Sequence, residues 1–255
     1  MDPEMVNAYL ARIGARRPAA PTPEALADLH ERHLLAVPFE NLSVHLGERV
    51  VLSEDALVDK IVRRRRGGFC YELNGAFAAL LRALGYRVTL LAGRVFDEHG
   101  RLGPPYDHLA LRVDAGEPLL VDVGFGQHTR RPLRLDEPVD QRDPDGVFRI
   151  VPAAEGDVDV LRAGEPQYRL ETRARTLADF TATCWWHQTS PHSYFTRSLV
   201  CSMPTATGRI TLSGNRLIRT RDGRRAEQVL DTDAAVLAAY RRHFGLHLDR
   251  VPAVS

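Results

Sequence analysis

The apolar pattern of this chain changes period once, at Gly85, and that change limits what it can fold into. Before Gly85 the apolar residues recur at helical spacing. Residues 4–14 carry Met5, Val6, Tyr9, Leu10 and Ile13 and stop at Gly14. Thr22-Pro23-Glu24 supplies a capping hydroxyl, a proline for the first helical position and an acid for the first turn. The helix it opens runs to about Leu35 and breaks at Val37-Pro38-Phe39-Glu40-Asn41. Ser53, followed by Glu54 and Asp55, is expected to cap another helix to about Arg65, and Cys70 opens one more through Leu73, Phe77, Leu80, Leu81 and Leu84.

After Gly85 the period is two. Residues 86–96, 108–113 and 118–123 alternate or run apolar and read as strands, the last two joined by a hairpin turn at Asp114-Ala115-Gly116-Glu117. Short strands follow at 147–151, 158–162 and 167–172, then a helix at 176–187 bearing Trp185 and Trp186. Strands return at 197–203, 207–213 and 216–220, and a helix at 232–243 ends near Gly245. Evenly spaced short strands suggest a barrel or a strongly curled sheet, and helices followed by strands and a mixed end argue for an α+β protein.

A formal net charge of +1 argues against a nucleic-acid or membrane partner. The cationic residues are arginines apart from Lys60, so arginine count carries little functional weight. Cys70, Cys184 and Cys201 make neither a CxxC pair nor an even disulfide set, and no apolar run approaches membrane-spanning length. These features predict a reduced, cytoplasmic protein.

The candidate site begins at Cys70, which follows Gly67 and Gly68 and opens a helix. Unpaired N–H groups at a helix N-terminus favour the thiolate, the reactive form of cysteine. The glycines are expected to let the backbone approach closely and to leave space beside the sulfur. A nucleophilic cysteine needs a base, and the base an orienting group. Of the histidines, His30 and His33 sit on a helix face and suit packing or surface roles. His243 and His247 lack a third metal ligand, and Cys184-x-x-His187 falls short of a zinc set. His108 stands where a proline-rich loop enters a strand. Asp122 is a carboxylate inside the apolar run Leu119-Leu-Val-Asp-Val-Gly-Phe-Gly126 and needs a partner if buried. The hairpin at 114–117 makes the two strands neighbours and brings Asp122 near His108. Capping of the following glycine turn is the plainer reading of Asp122.

Taken together, Arg66-Gly-Gly-Phe-Cys70-Tyr-Glu-Leu-Asn74, Pro38-Phe-Glu-Asn-Leu42 upstream, and His108 then Asp122-Val-Gly-Phe-Gly126 downstream resemble the arylamine N-acetyltransferase family. Weaker matches follow at Ser190-Pro-His-Ser-Tyr-Phe195, Cys201-Ser-Met-Pro and Gly208-Arg-Ile-Thr-Leu-Ser-Gly214. The resemblance implies an N-terminal helical bundle (1–85), a central β-barrel (86–190) and a C-terminal α/β lid (191–255) around a cysteine-proteinase-like Cys-His-Asp core. It implies that Cys70 is the nucleophile, His108 the base and Asp122 the orienting group, working through acetyl-CoA as acyl donor and without a metal. The acceptor would be an arylamine or hydrazine. It further implies that Phe39, Tyr71, Phe125 and Phe195 line the acceptor pocket, that Gly124 and Gly126 leave room for the pantetheine arm, and that Glu40 and Arg66 brace the loop before the cysteine. Asp107 stands where the family commonly has threonine; a carboxylate there is expected to hold His108 more cationic or to alter acceptor choice. A short C-terminal tail points to an alternative within the family, an amide synthase that takes a polyketide from an acyl carrier protein and closes a macrolactam. A papain-like or transglutaminase-like hydrolase, or a binding module with an idle cysteine, are the readings from other classes.

Overall fold

The computed structural model describes residues 1–254. Helices α1 (Pro3–Arg12), α2 (Pro23–Ala36), α4 (Glu54–Val62) and α5 (Cys70–Ala83) form the N-terminal body, with a short strand β1 (Phe39–Glu40) and a short helix α3 (Leu42–Leu46) between α2 and α4. Asp2 and Thr22 cap α1 and α2 by accepting from Met5 N at 2.7 Å and Ala25 N at 3.3 Å. Ser53 holds the N-cap position of α4, but its side chain makes no capping bond. Gly75 in α5 allows close approach to α4: a Cβ there would lie 2.5 Å from Leu57 Cδ1.

The strands after Gly85 are β2 (Arg87–Val95), β3 (His108–Asp114), β4 (Pro118–Val121), β5 (Leu133–Arg134), β6 (Gln141–Asp143), β7 (Gly146–Pro152), β8 (Val158–Arg162) and β9 (Glu165–Leu170). They form one sheet in the order β5-β4-β3-β2-β9-β8-β7-β6, curled into a nearly closed barrel. Its two edges are stitched by one side chain: Gln141 accepts from Arg134 N at 2.8 Å and donates to Arg134 O at 2.9 Å. β5 and β6 are too short to be read from alternation.

β2, β3 and β4 are buried on both faces, which explains their nearly continuous apolar runs. Leu90, Ala92, Leu109, Leu111, Leu119 and Val121 pack with the helices. Residues of the other parity, Leu91, Ala110 and Leu120, fill the barrel with Phe148 and Tyr168. His108 and Asp122 share that second parity.

Helices α6 (Thr181–Thr189) and α7 (Tyr194–Arg197) lead into β10 (Val200–Thr205), β11 (Gly208–Ser213), β12 (Arg216–Arg221) and β13 (Arg224–Val229), followed by α8 (Asp233–Ala239). α8 continues as a π-turn over Tyr240–Phe244 and stops at Gly245 in the left-handed region. β1 joins this second sheet, with Phe39 opposite Ser202 and Glu40 opposite Cys201. One face of the sheet (Cys201, Ile210, Leu212, Leu217) packs under α8, and β13 closes it as a solvent-exposed, charged edge. Among the described residues no helix is long and apolar enough to cross a membrane.

Candidate active site

Cys70 is the first residue of α5. The glycine pair before it serves the close approach expected of it. A Cβ on Gly67 would meet Pro38 O at 2.0 Å, and one on Gly68 would meet Glu72 Cβ at 2.6 Å. The loop is thereby pressed onto β1, where Glu40 N donates to Gly68 O at 2.9 Å. Glu72 accepts from Phe69 N at 3.2 Å and fixes the first turn of the helix.

Behind this loop the charges are all partnered. Arg66 Nη2 lies 3.0 Å from Glu40 Oε1, and Arg66 Nη1 lies 3.1 Å from Glu48 Oε2. Burial pulls the Arg66 guanidinium down, but Glu40 and Glu48 outweigh it and hold it above its ordinary value. Glu40 Oε2 accepts from Leu42 N at 2.6 Å. Lys60 Nζ donates to Glu72 Oε1 at 2.5 Å and to Ser43 Oγ at 2.8 Å. Burial raises the Glu72 carboxyl and Lys60 only partly reverses it.

In front of the loop stand His108 and Asp122. In the β3–β4 register Leu111 faces Val121. One step further sets Asp122 across from Ala110, diagonal to His108 on the same face. His108 Nε2 donates to Asp122 Oδ2 at 2.7 Å, which leaves Nδ1 as the free ring nitrogen. Gly93 lies opposite His108 and makes room for it, since a Cβ there would come within 3.2 Å of His108 Cβ. Asp122 also accepts from Asn74 Nδ2 (2.9 Å), Gly124 N (2.9 Å) and Tyr168 OH (3.0 Å). Burial pushes its carboxyl up, and His108, with His128 and Asn74 in support, overrides that and holds it well below the carboxylate range. Asp122 thus caps the glycine turn and also holds the histidine, so one contact does not exclude the other.

Asn74 joins the two halves of the site. It sits one helical turn beyond Cys70, donates to Leu109 O at 2.6 Å and to Asp122, and accepts from Val123 N at 2.9 Å. Gly124 completes the junction, because a Cβ there would lie 2.7 Å from both Cys70 Cα and Asn74 Nδ2. His30 supports it from below: Nδ1 donates to Arg130 O at 2.8 Å and Nε2 accepts from Asp122 N at 3.4 Å. His30 and His33 are fully buried, in packing roles.

The helix N-terminus does not by itself hold Cys70 as a thiolate. Burial pushes the thiol well up, the carboxylates of Asp107 and Asp122 add to it, and a backbone hydrogen bond at Leu109 acts in the opposite direction. Cys184, pushed up to about 12 by burial, and Cys201, also raised by burial, share that state.

Cys70, His108, Phe39, Phe125 and Phe195 line one cavity of about 480 Å³, together with Gly124 and Gly126. The ring of Phe125 meets His108 edge-on at 5.3 Å, and Phe39 lies 6.2 Å from Phe195. Tyr71 does not reach this cavity. Its ring is fully buried against Phe69 and Phe180, and its hydroxyl donates to Tyr106 O at 2.7 Å. One residue along a helix from Cys70 is about 100° around it, which points Tyr71 into the core. Asp107 lines the cavity as well: its carboxylate lies 3.0 Å from His187 Nε2 and accepts from Val95 N at 3.2 Å. His187, Asn74 and Tyr168 were not assigned to the site from sequence; for Asn74 the spacing to Cys70 was the available signal. A second cavity of about 490 Å³, lined by Glu48, Arg64, Arg66, His247 and Asp249 among others, holds no cysteine. Among the described residues no cluster of three or more His, Cys, Asp or Glu could hold a metal ion.

The family model described as N-acetyltransferase matches residues 22–253. The chain is 35% identical to the arylamine N-acetyltransferase / N-hydroxyarylamine O-acetyltransferase of Salmonella typhimurium, over 96% of this chain and 90% of that protein. Its fold is similar to the solved arylamine N-acetyltransferase of Salmonella typhimurium, with a TM-score of 0.90 at 31% identity, covering 98% of this chain and 94% of that one. It is also similar to the Mycobacterium marinum arylamine N-acetyltransferase in complex with CoA, with a TM-score of 0.86 at 34% identity, covering 94% and 92%. Sequence and fold agree along nearly the whole length, and the chain belongs to the arylamine N-acetyltransferase family.

Proposed function

We propose that this acyltransferase moves an acetyl group from acetyl-CoA, through a thioester on Cys70, to the nitrogen of an arylamine or hydrazine. The observation that carries the reading is the meeting of Cys70 with the His108–Asp122 pair in one aromatic-walled cavity. Its volume suits a small-molecule site, and Phe39, Phe125 and Phe195 offer faces for a flat amine. In this reading the segments 1–85, 86–190 and 191–255 supply the nucleophile, the base with its orienting acid, and the cover.

Cys70 is too well buried to ionise alone, so its proton passes to His108 Nδ1. Asp122, held ionised, fixes the ring through Nε2 and stabilises the imidazolium. The thiolate attacks the donor's carbonyl carbon, and the C–S bond to CoA breaks. The departing thiolate takes the proton from His108. In the second half the amine nitrogen attacks the Cys70 thioester, His108 accepts the amine proton, and Cys70 leaves. A thiol-to-thiol exchange is nearly balanced in energy, and amide formation then drives the cycle forward. Gly124 keeps its backbone against Cys70, and an N–H at Cys70 or a neighbour would meet the oxyanion. Three free cysteines, including a nucleophile that oxidation would disable, suit a reducing compartment, and we place the enzyme in the cytoplasm.

Initial rates measured with both substrates varied test this scheme. Parallel double-reciprocal lines are expected, because CoA departs before the amine binds; intersecting lines would contradict an acyl-enzyme.

A further inference from the structure

The scheme above leaves one cationic side chain on the cavity wall without a task. β11 begins at Gly208, where a Cβ would meet Thr220 O at 2.0 Å, so only glycine fits there and Arg209 is the first side chain the strand presents. Strand alternation decides its direction. Ile210 and Leu212 turn into the core under α8, whereas Arg209 and Thr211 face the active-site cavity, beside Ser202. Arg209 Nη1 donates to Ser202 Oγ at 3.0 Å, and Ser202 Oγ lies 2.7 Å from Thr211 Oγ1. Among the described residues this is the guanidinium's single hydrogen bond, and it has no ion-pair partner.

The acids nearby are already engaged. Asp145 accepts from Arg130 Nε at 2.9 Å, and Asp143 accepts from the backbone N–H groups of Arg130, Arg131 and Asp145. Arg162 donates to Asp145 O at 2.6 Å. Burial pushes the Arg209 guanidinium down to about 10; Asp145 pulls it back, and Arg130 and Arg162 add to the fall. It therefore stays charged at neutral pH, half-buried and, among the described residues, with no carboxylate at ion-pair distance. Such a charge is costly to keep unless something supplies the missing partner. A guanidinium that lines an aromatic-walled cavity and makes one hydrogen bond there is suited to an oxyanion.

We propose that Arg209 is an anion anchor of the active-site cavity, binding a carboxylate or phosphate oxygen of a substrate whose reacting atom lies at Cys70. The anion comes from one of two sources: a carboxylate on the aromatic acceptor, or the phosphates of the donor. The identity of these ligands rests on the acetyl-transfer reading, but their binding does not require turnover.

Calorimetric titration of the full chain with two matched pairs tests the proposal. The pairs are para-aminobenzoate with para-aminobenzamide, and CoA with pantetheine. In the unmodified protein the anionic member of one pair is expected to bind about tenfold or more tighter than its neutral twin, the effect of one charge-assisted contact. The pair that shows the gap names the source. Arg209→Gln is expected to erase the gap and leave the neutral ligand within about twofold, while Arg209→Lys, which keeps the charge, retains part of it. The proposal is overturned if neither pair shows a gap in the unmodified protein, or if the gap survives in Arg209→Gln. An absence of acetyl transfer in a separate assay would remove the catalytic scheme without touching this result.

Discussion

Two groups of buried charges flank the loop that carries Cys70, and they differ in one respect. Behind it, Arg66, Glu40, Glu48, Lys60 and Glu72 close on one another. In front, the His108–Asp122 pair is as deeply buried, yet the imidazole keeps one nitrogen uncommitted at a cavity wall. Burial and ion pairing are shared by both, so neither marks a functional site. What sets the front pair apart is the unpaired imidazole nitrogen in the cavity that Cys70 also lines. The rear network holds the loop in place, and the front pair is left with a position to use.

Substitutions on the two sides should therefore fail differently. Asp122→Asn is expected to lower kcat by about 10³- to 10⁴-fold, by releasing His108 from the orientation and tautomer that leave Nδ1 free. Near-wild-type rates would move the front pair into the structural class. Arg66→Met leaves Glu40 buried without its cation and should cost roughly 3–5 kcal/mol of stability. The fall in Tm would be at least about 6 °C, and activity per folded molecule would change far less than in Asp122→Asn. A large loss of kcat with an unchanged Tm would break the comparison.

A further effect expected is a pH dependence of stability. Burial pushes His128 down to about 4, with Asp122 acting against it and His108, His30 and Arg162 adding to the fall; burial likewise lowers His30 and His33. The folded state thus resists protons that the unfolded chain takes up below its ordinary imidazole value. Tm should rise as pH increases from about 4 to about 6.5 and level off above that. His128→Gln should flatten the rise. A slope that the substitution leaves unchanged would show that another group sets it.

Much of this was legible in the sequence where one local rule sufficed. The glycine pair and helix start marked Cys70, and parity across a hairpin paired His108 with Asp122. What escaped notice depends on where distant segments meet. β1 spans two residues and pairs with β10 far along the chain. Asn74 owes its role to β3 and β4 lying above α5, and Asp107 turns to His187 because α6 packs over the cavity. The resemblance implies a place for Tyr71 in the cavity wall, whereas helical rotation sets it in the core, fully buried against Phe69 and Phe180. Arg209 is one arginine among many in the sequence, and its place on the cavity wall with the neighbouring Asp145 engaged elsewhere sets it apart.

The account turns on Cys70 carrying the acyl group. Incubating the protein with acetyl-CoA in the absence of amine, then measuring intact mass, mapping peptides and recording CoA release, tests that claim most directly. An acetyl group on Cys70, absent from Cys184 and Cys201 and lost in Cys70→Ser, is the expected result. Neither adduct nor released CoA, or an acetyl group that persists in Cys70→Ser, would contradict it.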